Sequence, residues 1–197
     1  MMVVLLRILG LSFAIRLFAL SALLLASLLP DYDTSSQHLH EACGLTGDKW
    51  LWRVLTWDSV FYTDLACNGY QYEQQYAFFP LLPALLRAAP CTVLPAWGLS
   101  LSLLCHSLGS GALLLLGRSV TGDPQLAALA ALLYAASPAS PFHAAVYTEA
   151  VFGLLTLAGC CSCCCAAFCP VCSSPIRASC SRVTVWLRPG RPHARTL

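Results

Sequence analysis

"VVLLRILGLSFAIRLFALSALLLASLL", residues 3–29, decides what kind of molecule this is. It is apolar almost throughout and long enough as a helix to cross a hydrocarbon core of about 30 Å. Arg7 near its start is compatible with a signal peptide. The apolar run is longer than an ordinary signal core, however, and "LLASLLPDYD" is a poor small-residue cleavage site. The expectation is an uncleaved first helix that Pro30 ends. Arg16 lies inside the span, where lipid resists a charge, so it should face protein or snorkel.

The rest of the chain agrees. Of its 197 residues, 58% are hydrophobic and 10% are charged, whereas a soluble domain carries about 25% charged residues. The mean hydropathy is +0.69. The apolar residues come in blocks that an aqueous globule could not hide, which makes this an integral membrane protein. The net charge of +2 comes with no basic patch interleaved with aromatics, so nucleic acid is not an expected partner. Further apolar segments run over 92–117, from 125 to about 137, and over 151–168, while 78–89 is too short and proline-marked to cross. The fold class is therefore all-α and polytopic, with about four membrane segments and a large first loop. The expected divisions are a first transmembrane helix at 1–29, a loop at 30–91, transmembrane helices with short loops at 92–159, and an atypical Cys/Arg-rich tail at 160–197.

Seven of the nine acids (Asp31, Asp33, Glu41, Asp48, Asp58, Asp64 and Glu73) fall in the first loop. Trp50, Trp52, Trp57 and most of the tyrosines are there too, which suits a loop lying on the bilayer interface. Counting crossings puts Asp58 and Glu149 on the same side of the membrane. Arg7 and Arg118 favour the cytoplasm for the ends opposite the acidic loop.

Acids beside aromatics recur in "TWDSVFY" (56–62), "GYQYEQQY" (69–76) and "YTEA" (147–150). Two readings stand on residue chemistry alone. A carboxylate partly desolvated against a bilayer can act as a general base, with aromatic faces as platforms for sugars or prenyl chains. Alternatively, the aromatics are interfacial anchors and the acids their solvated neighbours. No phosphate-binding GxxxxGK[ST], GxSxG elbow or HExxH helix is present. His38 and His40 read as solvated loop residues, and His106 as a packed core residue rather than a proton relay. The crowded run "CCSCCCAAFCPVC" (160–172) lacks the paired spacing that zinc requires, so no metal is expected. Membrane-proximal acylation is a second reading of it. The stretch "SSPIRASCSRVTVWLRPGRPHARTL" that follows has five arginines and no acid, and reads as a tail from another frame or exon.

"WDSVFYTDLACNGYQYEQQYAFFPLLPALLR" (57–87) resembles the first luminal loop of the GPI mannosyltransferase 2 family, which adds the second mannose in GPI-anchor assembly. The resemblance rests on Trp57 and Asp58, then Gly69, Tyr70, Tyr72 and Glu73, then Ala77, Phe78, Phe79, Pro80 and Pro83. "SPASPFHAAVYTEAVFGLLTLAG" (137–159) is similar to a second family block, through Ser137, Pro138, Ala139, Phe142, Ala145, Tyr147, Glu149, Ala150 and Phe152. The similarity covers about residues 1–159. Family members often carry histidine three residues after the Asp, where this chain has Phe61.

The resemblance implies the N-terminal portion of a GT-C glycosyltransferase, multi-pass in the endoplasmic reticulum membrane. Its implied reaction moves mannose from dolichyl-phosphate-mannose to the 6-hydroxyl of the first mannose on the GPI precursor glycolipid, giving an α-1,6 linkage. Asp58 would be the catalytic base. Trp57, Tyr70, Tyr72, Glu73 and Glu149 would bind substrate, while Phe78, Phe79 and Pro80 would support the loop and the lipid chain. No cofactor or metal is implied, and the partners are the donor, the acceptor glycolipid, membrane lipid and a small membrane partner subunit. The rival expectation is a truncated, catalytically inactive membrane protein.

Overall fold

The computed structural model describes residues 2–26, 28–29 and 55–168. Pro30, the acidic stretch up to residue 54 with Trp50, Trp52, His38 and His40, and the tail beyond Phe168 lie outside the described residues. Within them every regular element is helical. In chain order they are α1 (Met2–Ala26), α2 (Asp58–Asn68), a 3-10 turn (Glu73–Ala77), α3 (Leu81–Leu86), a 3-10 turn (Cys91–Val93), α4 (Leu94–Thr121), α5 (Pro124–Ala135), α6 (Ser140–Ala144) and α7 (Thr148–Phe168).

α4 is the axis around which α1, α5 and α7 pack. Its end is written locally. Gly122 takes a left-handed φ of 73°, Asp123 accepts from the Gln125 and Leu126 amides at 2.8 and 3.2 Å, and Pro124 starts the next helix. The neighbours approach α4 over its glycines. A Cβ on Gly111 would lie 2.9 Å from a Leu9 methyl, and one on Gly117 would lie 3.1 Å from Ala127. Small residues bring helices close where lipid, as apolar as leucine, offers no hydrophobic drive to association.

These contacts fix directions. Leu5 and Leu9 of α1 face Gly111, whereas Leu20 and Leu24 pack on the cluster that holds Leu94 and Leu99, so α1 runs antiparallel to α4. Ala127 faces Gly117 and Tyr134 faces Gly109, so α5 is antiparallel to α4 as well. The chain then continues through α6 until Val146 meets Gly98, which completes a return along nearly all of α4. α7 sets out again beside α4, with Leu154 against Gly109.

Two of these elements, Met2–Ala26 and Cys91–Thr121, are long and apolar enough to cross a membrane. The apolar helices Pro124–Ala135 and Thr148–Cys164 are shorter. The third segment expected at 125 to about 137 is thus a 12-residue helix, only about 18 Å long, prolonged by irregular chain. The division expected at 159/160 falls inside α7, which runs unbroken to Phe168. Cysteine and alanine do not interrupt a helix.

Arg16 is fully buried. Its guanidinium donates to the carbonyls of Ala135 (2.8 Å) and Tyr134 (3.4 Å), in the last turn of α5, so it faces protein rather than lipid. Cations belong at helix C-termini, where carbonyls lack helical partners. Beside it, His106 stacks on Tyr134 at 4.5 Å and meets His143 at 4.6 Å. The Tyr134 hydroxyl sits in a notch between Gly109 and Gly153, where added methyls would lie 3.2 and 2.8 Å from it. His106 is accordingly a packed interior residue.

Candidate active site

The site grows from the turn that begins α2. Trp57 precedes the helix with φ 53° and ψ −123°, the one non-glycine residue with positive φ among those described. A bulky side chain adopts such a backbone only where its surroundings hold it there. The Thr56 carbonyl accepts the Ser59 amide at 3.2 Å, and the Trp57 carbonyl accepts the Val60 amide at 3.2 Å. Asp58, the first residue of α2, is left exposed on the tip of this turn.

The second segment arrives from 91 residues away: the Tyr147 hydroxyl donates to the Thr56 carbonyl at 3.0 Å. The Tyr62 hydroxyl in turn hydrogen-bonds to Thr148. Glu149, exposed in the first turn of α7, completes the group. Burial pushes both phenols above the ordinary tyrosine range, and the charges of Asp58 and Glu149 push the same way, while the bonds to Thr148 and Thr56 oppose them. Both carboxylates therefore lie within electrostatic reach of the same two phenols. At neutral pH those phenols keep their protons and act as hydrogen-bond donors. "TWDSVFY" and "VYTEA" thus meet at the start of α2.

"GYQYEQQYAFFPLLP" wraps beside it. Gly69 ends α2 at φ 77°, and the Arg87 guanidinium caps the helix through the carbonyls of Ala66 (3.1 Å) and Leu65 (3.0 Å). Gln75 organises the turn that follows. Its carbonyl oxygen accepts the Gln71 and Tyr72 amides at 2.6 and 3.1 Å, and its amide donates to Asp64 at 2.9 Å. Tyr70 donates its hydroxyl to the Phe78 carbonyl at 2.6 Å and stacks on Tyr76. Half-buried Phe78 packs on Phe61 (4.7 Å, stacked) and on Tyr62 (5.3 Å, edge-on). Phe61 thus serves the apolar floor of the loop.

The remaining residues singled out in the sequence stand open. Trp57, Tyr72 and Phe79 are 64%, 65% and 70% exposed, so each offers a free aromatic face. Glu73 and Pro80 are exposed as well, the first opening the 3-10 turn and the second leading into α3. The Tyr147–Thr56 bond brings the segments that carry Asp58 and Glu149 side by side, and Tyr70 and Phe78 brace the loop.

The parts played by Tyr62, Tyr147, Thr148, Gln75 and Arg87 are not legible in the sequence. They depend on backbone carbonyls and amides, which the sequence pattern does not display. A disulfide joins Cys67 to Cys91, with Cα atoms 6.1 Å apart, and ties the end of α2 to the start of α4. Its signal was available: these two cysteines flank the motif-bearing loop, away from the crowded run near the C-terminus.

A helical chain with two spans long and apolar enough to cross a membrane, and with an exposed carboxylate, a second acid, buried phenols and open aromatic faces at one end, has the makings of a glycosyltransferase. A family model described as "Mannosyltransferase (PIG-V)" matches residues 2–186, and the chain belongs to this family. The match extends past Gly159, where the motifs stop being legible, into the cysteine-rich stretch. "GPI mannosyltransferase 2" of Yarrowia lipolytica is 35% identical over 68% of this chain and 37% of its own length. "GPI alpha-1,6-mannosyltransferase 2" of Homo sapiens is 38% identical over 51% of this chain and 23% of its own. "GPI mannosyltransferase 2" of Gibberella zeae is 33% identical over 72% of this chain and 35% of its own. The chain spans well under half the length of these curated relatives. No solved structure matches it.

Proposed function

We propose that this chain supplies the acceptor-activating site of an α-1,6-mannosyltransferase that adds the second mannose to the GPI precursor, with dolichyl-phosphate-mannose as donor. The observation that carries the reading is the hydrogen bond from the Tyr147 hydroxyl to the Thr56 carbonyl, which sets the segment bearing Glu149 against the turn that bears Asp58. In the step itself, Asp58 takes the proton from the acceptor 6-hydroxyl as that oxygen attacks the anomeric carbon. The new C–O bond forms on the face opposite the phosphate. The bond from carbon to phosphate oxygen breaks, and dolichyl phosphate leaves with the electron pair, so a β-linked donor gives an α-linked product. Trp57, Tyr72 and Phe79 offer faces to sugar or prenyl chain, Glu73 and Glu149 accept sugar hydroxyls, and Tyr70, Phe78 and Pro80 keep the loop in shape.

The membrane arrangement belongs to the same proposal. α1, α4, the return from Pro124 to Val146, and α7 make four passages in the endoplasmic reticulum membrane. The loop from residue 55 to 93 faces the lumen. Its disulfide supports that side, because such bonds persist in the oxidising lumen and not in the cytosol. The acceptor glycolipid, membrane lipid and a small membrane partner subunit are partners carried over from the family.

The test is complementation of cells lacking GPI mannosyltransferase 2, scored by surface staining of a GPI-anchored reporter. The chain in its longest natural form should restore staining, and Asp58→Asn in the same form should not. Full rescue by Asp58→Asn sinks the assignment.

A further inference from the structure

Asp58 does not hold its own position. It stands exposed after a tryptophan whose φ of 53° is sterically disfavoured, and the start of α2 carries no side-chain cap. Something outside α2 must fix this turn, because a bulky residue relaxes out of such a conformation when nothing opposes it. The Tyr147 hydroxyl reaches it from elsewhere in the chain, donating to the Thr56 carbonyl at 3.0 Å.

Tyr147 is itself held from behind. The Ser102 hydroxyl of α4 donates to the Ala145 carbonyl at 2.8 Å, in the interior. Val146 is fully buried against Gly98, so closely that a Cβ there would lie 2.8 Å from both valine methyls. The Phe142 ring stacks on the Tyr147 ring at 5.9 Å. Tyr147 is 7% exposed, so its ring has little freedom to swing away. The residues 145–147 thus form a short strap clamped to the longest helix, with a single hydroxyl reaching out to the turn.

We infer that Tyr147 is a positioning residue for Asp58: its hydroxyl, referenced to α4 through Ser102 and Gly98, fixes the Thr56 carbonyl and so sets the direction in which the Asp58 carboxylate points. The inference rests on the proposed role of Asp58 as base and deepens it. Proton transfer from the acceptor hydroxyl needs heavy atoms about 2.6–3.2 Å apart, so a turn that wanders costs turnover even where the substrates still bind. Tyr147 touches no reacting atom in this scheme.

The experiment is Tyr147→Phe in the longest natural form of the protein, which keeps the ring, its stacking and its volume and removes only the hydroxyl. Microsomal transfer assays should give a kcat about tenfold lower with KM for the lipid donor within about twofold, as for a group that matters in the transition state alone. Hydrogen exchange on the detergent-purified protein should show the Ser59 and Val60 amides losing protection while the middle of α4 keeps its own. Packing alone would not move the first result and spare the last. Wild-type kcat in Tyr147→Phe, with Asp58→Asn inactive, overturns the positioning role and leaves the proposed function standing. Activity retained by Asp58→Asn removes both. Where Tyr147→Phe lowers the yield of folded protein, exchange in the folded fraction decides, and unchanged protection at Ser59 and Val60 overturns the inference.

Discussion

Breaking the disulfide tests fold, orientation and site at once. Cys67 and Cys91 are 24 residues apart, and between them lie Tyr70, Tyr72, Glu73, Phe78, Phe79 and Pro80. Cross-linking a loop of that length removes chain entropy from its unfolded state worth about 3.5 kcal/mol at 25 °C. Lipid already restrains the end of this loop that enters α4, so the figure is an upper one. Cys67→Ser should therefore raise the open population of the loop by up to about 400-fold, seen as faster proteolysis between residues 69 and 90. In intact microsomes alkylated without reductant, peptide mapping of the unsubstituted protein should recover the two cysteine peptides as a linked pair. After dithiothreitol both should carry label, and in Cys67→Ser the exposed Cys91 should label without reductant. Free, reactive thiols at both positions in the unreduced protein would refute the reasoning: the loop would then lie in a reducing compartment, and the luminal placement of Asp58 would fall with it.

Two further substitutions probe the packing beneath the site. Gly153→Ala should cost about 1–3 kcal/mol of thermal stability in detergent, because its methyl would lie 2.8 Å from the Tyr134 hydroxyl. Adding Tyr134→Phe should recover part of that loss, and strict additivity of the two changes would show that the notch is not what limits the position. Gln75→Leu leaves the Gln71 and Tyr72 amides without their acceptor. It should destabilise the loop by about 1–3 kcal/mol, read as faster exchange at those amides, and unchanged exchange there would refute Gln75 as the organiser of the turn.

How far the sequence reaches depends on the kind of force at work. The apolar runs at 3–29 and 92–117 are legible because burying hydrocarbon in lipid needs only composition and length. The reversal at 122–124 is legible because glycine, aspartate and proline each dictate a backbone state. The apolar run from 125 to about 137 is legible in the same way as the longer runs, but its early stop at Ala135 is not, because the carbonyls left there are met by Arg16, 119 residues earlier. The same division runs through the site. Asp58, Glu73 and Glu149 announce themselves as scarce acids in a greasy chain, whereas Tyr147 looks like one more interfacial aromatic. Only the fold shows that its hydroxyl ends on the Thr56 carbonyl rather than in water. Arg16 and Tyr147 follow one rule: each spends a side-chain donor on a backbone carbonyl where a helix ends or begins. In an interior with little water such carbonyls need protein donors, so polar residues inside the apolar segments of this chain are best read first as holders of broken backbone and only then as participants in chemistry.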